Sequence, residues 1–323
     1  MNPQLHAVFF AMLIAGILVL PTSTVGADPG TGGPSKAAPE SKRRGFRPVQ
    51  KLLDLSGLAW MGGNTFLAVH DAKFEGEATR VRVSLLKAPT SLDGILWKPL
   101  RPRFPGGLSN DLESASRIPG TRKVLLVESR DDRSAYDRIY LARAGRNQVR
   151  IFDFTEWTSF ADPYNVEGTA VANTEDGYLF LWAEREDGGE TTLVQWRDLT
   201  LKPFAIGNGD TEGSISFSLP SELAELYNRP LVGMDVSPSG EIYIVTAYDS
   251  GEDDGPYRSA VLKIGRIEES GVVLDAEPTV VSTLDGLKVE SVTVRIDGEN
   301  DELFIGSDDE NYGGTLRPLP FSP

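Results

Sequence analysis

The sequence predicts an all-β fold, a single five-bladed β-propeller of four-stranded antiparallel blades, and three observations carry that reading. One kind of segment recurs: Ser56-Gly-Leu-Ala, Glu113-Ser-Ala-Ser, Glu167-Gly-Thr-Ala, Val232-Gly-Met-Asp and Glu290-Ser-Val-Thr each lead through a turn into a β-rich run. Their first residues stand 57, 54, 65 and 58 positions apart, room for about four short strands per step. Nowhere does the chain carry the long amphipathic helices that a βαβ fold needs.

Taken in order, the chain opens with a polar start (Met1 to His6), an apolar run (Ala7 to Leu20) and a small-residue exit ending Val25-Gly26-Ala27. Residues 1–27 therefore read as an export signal, the run being shorter than the roughly 20 residues that cross a bilayer. Retention of the segment as an anchor is the alternative. No Cys follows the run, which excludes a lipoprotein anchor. Residues 28–44 are Pro, Gly, Ser and charge, with almost nothing to bury, and read as a disordered linker. The propeller then occupies 45–323.

Within the repeats, Val124–Glu128, Arg138–Ala142 and Val149–Phe154 read as strands of the second blade, and Tyr178–Ala183 and Thr192–Trp196 as a hairpin of the third. The fourth blade carries Ile242–Thr246, Ala260–Ile264 and Thr279–Ser282. A helix over 221–227 accounts for the 65-residue step, and a sixth blade would have to hide there in degraded form. The last blade is short of chain. Its outer strand is expected from 49–55, so that strands from the two ends of the chain close the ring.

Composition narrows the chemistry. The absence of Cys removes disulfides, thiol nucleophiles and Cys-ligated zinc, and a net charge of −15 disfavours nucleic acid and anionic lipid. Only His6 and His70 occur, and no Gly-x-Ser-x-Gly elbow is present, so a Ser-His-Asp triad and multi-histidine metal chemistry are excluded. Any catalysis would run on carboxylates, a metal, Arg, Lys or Tyr.

Propeller geometry places the first residues of the inner strands around the axis. Three converging carboxylates, Glu113, Glu167 and Glu290, repel one another unless something positive lies between them. Ca²⁺, which takes 6–8 oxygen ligands, fits these three with Ser56, while Val232 offers no side-chain ligand. The alternative is a solvated channel in which the glutamates pair with Arg117, Arg295 or Lys288. A second series, Asp71, Glu128, Glu184, Asp249 and Asp308, ends the second strand of each repeat, either as a ring of functional loops or as turn-forming acids. From it come the candidate general bases Asp71, Glu184 and Asp249, with Arg130, Arg133 and Arg185 to offset an anionic substrate. The acidic runs 250–255 and 308–314 lack EF-hand spacing and read as solvated turns.

Leu55-Ser-Gly-Leu-Ala-Trp60, Phe66-Leu-Ala-Val-His-Asp71 and Val166-Glu-Gly-Thr-Ala170 resemble the starts of repeats in the exported phytase-like, esterase-like propeller family, over most of residues 50–312. The order Ser, Glu, Glu, a break, then Glu also resembles the calcium-dependent nucleotidase (apyrase) propellers, in which five blades send inner-strand residues to one central calcium. That resemblance implies Ser56, Glu113, Glu167 and Glu290 as ligands, with Val232 departing where that family has Ser. The expectation is thus an exported, periplasmic or extracellular, monomeric calcium-binding propeller for a small molecule or a protein partner. A calcium-dependent hydrolase of phosphate esters or nucleotides is the alternative.

Overall fold

A computed structural model describes residues 45–49, 51–73, 79–89, 94–130, 136–185, 191–224, 229–252, 254–269, 271–297 and 300–319. The signal and linker readings over 1–44 lie outside them, as does Arg133. No helix among the described residues is long and apolar enough to cross a membrane.

Five antiparallel sheets follow one another along the chain. Blade one holds β1 (Arg47–Pro48), β2 (Gly57–Gly62), β3 (Thr65–Val69), β4 (Val83–Lys87) and β5 (Leu96–Leu100), in the spatial order β1-β5-β4-β3-β2. Blade two holds β6 (Leu112–Arg117), β7 (Lys123–Glu128), β8 (Arg138–Ala144) and β9 (Val149–Glu156). Blade three holds β10 (Val166–Thr174), β11 (Gly177–Glu184), β12 (Thr191–Leu201), β13 (Phe204–Ile206) and β14 (Glu212–Ser218). Blade four holds β15 (Leu231–Val236), β16 (Glu241–Tyr248), β17 (Arg258–Glu268) and β18 (Gly271–Asp285). Blade five holds β19 (Val289–Asp297), β20 (Asn300–Ser307) and β21 (Leu316–Pro318). The inner strands β2, β6, β10, β15 and β19 contact one another in sequence, and β19 meets β2 again, so the ring closes at five.

Two details differ from the sequence reading. The long step to the fourth blade contains more than a helix: β13 and β14 both pair with β12, and α1 (Ser221–Ala224) is one short turn after them. Nor does the N-terminal segment form the outer strand of blade five. Arg47–Pro48 instead edges blade one against Leu96–Trp97, where a Pro without an N–H is tolerated. The chain ends still meet. Leu52 and Gly314 form a bridge, Leu55 N donates to Ser307 O at 3.2 Å, and the Phe66 and Phe304 rings pack at 4.7 Å between blades one and five.

The repeated motif has a backbone cause. In blades two to five the pairing of the two innermost strands slips by one residue, and the residues left over are Glu113, Glu167, Val232 and Glu290. Each is a β-bulge, a device that lets one side chain leave the alternation of the strand. The next residue is always small (Gly57, Ser114, Gly168, Gly233, Ser291) because neighbouring inner strands nearly touch there. A Cβ on Gly57 would stand 2.6 Å from Ala115 N, and one on Gly233 would stand 2.7 Å from Glu290 O. Backbone cannot retreat as a side chain can. Gly57→Ala is therefore expected to lower stability by about 2 kcal/mol, the scale of overpacking, as read by urea denaturation; an unchanged midpoint would contradict the close approach.

Candidate metal centre at the axial mouth

The glutamates at three of the bulges line a mouth of ≈ 760 Å³ at one end of the axis, while Val232, at the fourth, is buried in the apolar core. Eight acids line it (Asp54, Asp71, Asp111, Glu113, Glu167, Glu290, Asp308, Glu310) against five bases, an imbalance that favours a bound cation. A second sequence position helps to build it. Two residues before each motif stand Asp54, Asp111, Asn165, Pro230 and Lys288. The carbonyls of the last four accept N–H bonds from Ser129, Arg185, Ala247 and Asp308 at 2.8–3.1 Å. These locks hold the start of each inner strand against the end of the second. Asp111 and Asn165 adopt positive φ (53° and 52°), as does Glu310 (44°), a conformation that costs non-glycine residues energy and gathers at functional sites.

The three axial glutamates do converge, and their surroundings then separate them. Arg185 Nη1 donates to Glu167 Oε1 at 3.1 Å. Lys288 Nζ reaches Glu310 at 2.7 Å, Asp249 at 3.1 Å, Glu290 at 3.3 Å and Asp308 at 3.6 Å. Lys288 thus pairs with Glu290, as the solvated-channel alternative expected. Arg117 and Arg295 do not reach the glutamates: Arg117 lies over Trp60 and Arg295 pairs with Glu302. Glu113 has no hydrogen-bond or ion-pair partner among the described residues. Burial first, then Glu167, Asp111, Glu290 and Asp71, push its carboxyl well above the usual range. Burial likewise raises Glu290, which Lys288 only partly offsets, and Glu167, which Arg185 partly offsets.

Beside Glu113, the carboxylates of Asp71 and Asp111 complete a group that could hold a metal ion, one oxygen from each lying within 4.8 Å of the others. Asp71 Oδ1 and Asp111 Oδ1 are buried without a hydrogen-bond partner, although Arg80 lies 3.5 Å from the first and Lys73 3.2 Å from the second. Burial, followed by Asp54, raises Asp71 to about 7. Ser129 Oγ donates to Asp111 Oδ2 at 2.5 Å and fixes that carboxylate. The donor set is all oxygen, which suits a hard cation. The Ser56 hydroxyl is also buried without a partner, and its residue does not line the mouth.

The second acid series divides. Asp71 and Asp308 line the mouth, and Asp249 joins it through Lys288. Glu128 is wholly buried and structural: Arg138 forks onto it at 2.8 and 3.0 Å, with Asn110 N at 2.9 Å and Tyr140 Oη at 3.1 Å. Glu184 accepts from Tyr164 N at 2.9 Å. Asp249 is held below its ordinary range: burial raises it, but Gly251 N–H and Lys288 outweigh that. Of the arginines, Arg185 lines the mouth while Arg130 pairs with Asp162. His70 is locked, Nδ1 against Asp54 O at 2.5 Å and Nε2 against Ser84 Oγ at 2.9 Å, and burial lowers its pKa. A buried neutral imidazole so held is a structural group.

No protein-family model matches the chain, and no curated protein does. Among solved structures, a thermostable family-43 glycoside hydrolase is similar at 10% identity and TM-score 0.49, covering 86% of this chain and 93% of that one. An α-L-arabinofuranosidase from Clostridium thermocellum is similar at 11% identity and TM-score 0.49, covering 88% and 92%. Kuenenia stuttgartiensis hydrazine synthase is similar at 10% identity and TM-score 0.38, covering 78% of this chain and 61% of that one. Such distant likenesses bring no activity with them.

Proposed function

We propose that this chain is an exported calcium-binding propeller of the phytase-like kind, with the cation at the axial mouth on Asp71, Asp111 and Glu113. The observation that carries the reading is the unpartnered Glu113 carboxylate within 4.8 Å of oxygens from two aspartates. Calcium bonds oxygen at about 2.3–2.6 Å, so oxygens facing each other across it stand about twice that apart. Three carboxylates leave several of its 6–8 positions open toward the mouth. There Arg80 and Arg185 favour an anionic oxygen from a small ligand. The cation sits toward blades one and two, because Glu167 and Glu290 already have Arg185 and Lys288 as partners whereas Glu113 has none among the described residues.

Calorimetric titration of chelator-stripped protein tests this. One calcium per chain is expected, with binding lost in Asp111→Asn. Ser56→Ala should bind as the parent does. If Ser56→Ala is the variant that loses calcium, the ion lies on the axial set Ser56, Glu113, Glu167 and Glu290 instead.

A second reading, hydrolysis of a phosphate ester or nucleotide, is favoured by Arg80 and Arg185, which line the mouth beside the three carboxylates and would counter the charge of a phosphoryl group held by the ion. It expects calcium-dependent turnover somewhere in a panel of nucleotides, phytate, sugar phosphates and aryl esters, abolished by Asp71→Asn. Inactivity across the panel would leave calcium-dependent binding as the function.

A further inference from the structure

Basic residues are not spread evenly along this acidic chain. Residues 79–150 hold fifteen of its 32 Lys and Arg but only seven of its 47 Asp and Glu. Part of that excess meets in a groove of ≈ 970 Å³ between the outer edge of blade one and the β8–β9 turn of blade two. Arg47, Lys98, Arg101, Asn147 and Gln148 line it, with aliphatic, Trp and Pro surface between them and no Asp or Glu among the described residues.

Lys98 is the decisive residue. It is only 6% exposed, and its Nζ donates to Asn147 Oδ1 at 2.8 Å, with no carboxylate within ion-pair distance among the described residues. An ammonium carries three donors, and a largely buried one held by a single neutral acceptor is left without a counter-charge. Three other buried bases are better supplied: Lys288 faces four acids, Arg138 faces Glu128, and Arg82 donates to the carbonyls of Ser109, Arg80 and Lys73. Arg101 stands exposed at the rim, and its guanidinium donates to Thr79 O at 3.3 Å.

We propose that this groove is a second ligand site, distinct from the axial mouth, that binds a small ligand through one oxyanionic group, a carboxylate, sulfate or phosphate. Lys98 supplies the counter-charge, the amides of Asn147 and Gln148 supply neutral hydrogen bonds, and Arg101 closes the rim. The ligand is small because the chain as a whole carries −15, and its acid-rich blades three to five repel a long polyanion.

The test is calorimetric titration of the full chain, stripped of calcium by chelation so that the mouth offers an anion no metal, with inorganic phosphate, sulfate, glucose 6-phosphate and galacturonate. One saturable site is expected for at least one of them, and the four arms separate phosphate, sulfate and carboxylate. Lys98→Met, which keeps the length of the side chain, should weaken binding about tenfold, the scale of one charge-assisted hydrogen bond. Arg101→Gln, an exposed change that leaves the fold alone, should weaken it a few-fold. Glu113→Gln should leave it unchanged. No saturable binding by any of the four, or equal affinity in both groove variants, overturns the proposal. Loss in Glu113→Gln with retention in Lys98→Met would place the anion at the mouth instead. Tighter binding of polygalacturonate than of its monomer would overturn the assignment to a small ligand.

Discussion

Calcium added to metal-free protein at pH 7.5 should raise its melting temperature by ~5–10 °C when the free ion reaches about 100 times its dissociation constant. That follows from ~2.7 kcal/mol of binding-linked stabilisation spread over a domain of this size. Glu113→Gln should abolish the rise while leaving the metal-free melting temperature equal to or above that of the parent. The sign of the second effect follows from the surroundings. Glu113 is raised well above its ordinary pKa by burial and by four neighbouring acids, so its ionised form is unfavourable in the empty mouth. Removing that charge relieves repulsion and removes a ligand at once. A purely structural glutamate would behave oppositely, with Glu113→Gln destabilising the metal-free protein. Magnesium, zinc and calcium scanned side by side identify the ion, and a calcium response that survives in Glu113→Gln would rule out the mouth as the site.

The second large effect is a pH dependence with an uncommon sign. In the metal-free protein Asp71 titrates at about 7, and Asp235 and Asp308 at about 6, each raised first by burial from an ordinary value of 3.8. A group whose folded pKa lies above its unfolded one binds more protons in the folded state, so stability falls as pH rises between the two values. The window here runs from about pH 4 to about pH 7. For Asp235, which is partly exposed, the rise from 3.8 to about 6 corresponds to at most ~3 kcal/mol. His70, which burial keeps neutral, works the other way inside this window and offsets a part, whereas Asp54 and Asp249, lowered from 3.8, act beneath it. Without calcium, the melting temperature should therefore be higher at pH 5 than at pH 7, and calcium at pH 7 should restore it. A metal-free melting temperature that climbs steadily from pH 4 to 7 would show these carboxylates to be solvated or paired.

Asp235 also shows how the two ends of the axis differ. Its Oδ2 accepts from Thr293 Oγ1 and Val294 N at 2.8 Å, and Thr293 in turn accepts from Trp60 N at 3.1 Å, tying blades four, five and one together. These bonds tie the inner strands together at that end, where only a cavity of ≈ 120 Å³ remains beside Asp235 and Thr293, while the opposite end opens into the larger acidic mouth.

The architecture was legible in the motif spacing because each blade must restart the same inner strand, and a restart needs the same small residues wherever strands nearly touch. The glutamates were legible for the same reason: a bulge recurs at one register, so its residue recurs at one position. Asp111 was not. It belongs to a series of Asp, Asp, Asn, Pro and Lys two residues upstream, where the shared feature is a carbonyl that accepts a bond, and a carbonyl leaves no mark on residue type. The second acid series misled in part because Glu128 resembles Asp71 in sequence position. Only the fold shows that Arg138 on the next strand folds back over Glu128, whereas Asp71 looks into the mouth.

Residue order alone was enough for the all-β class and the convergence of Glu113, Glu167 and Glu290, since local alternation and a fixed period set both; it pointed to five blades, and the contact of β19 with β2 decided against a sixth. Which of those glutamates keeps an uncompensated charge depends on where Arg185, Lys288, Asp71 and Asp111 arrive from other blades. That is a matter of ångströms between residues far apart in the chain, and electrostatic energy depends on those distances and on burial rather than on sequence separation.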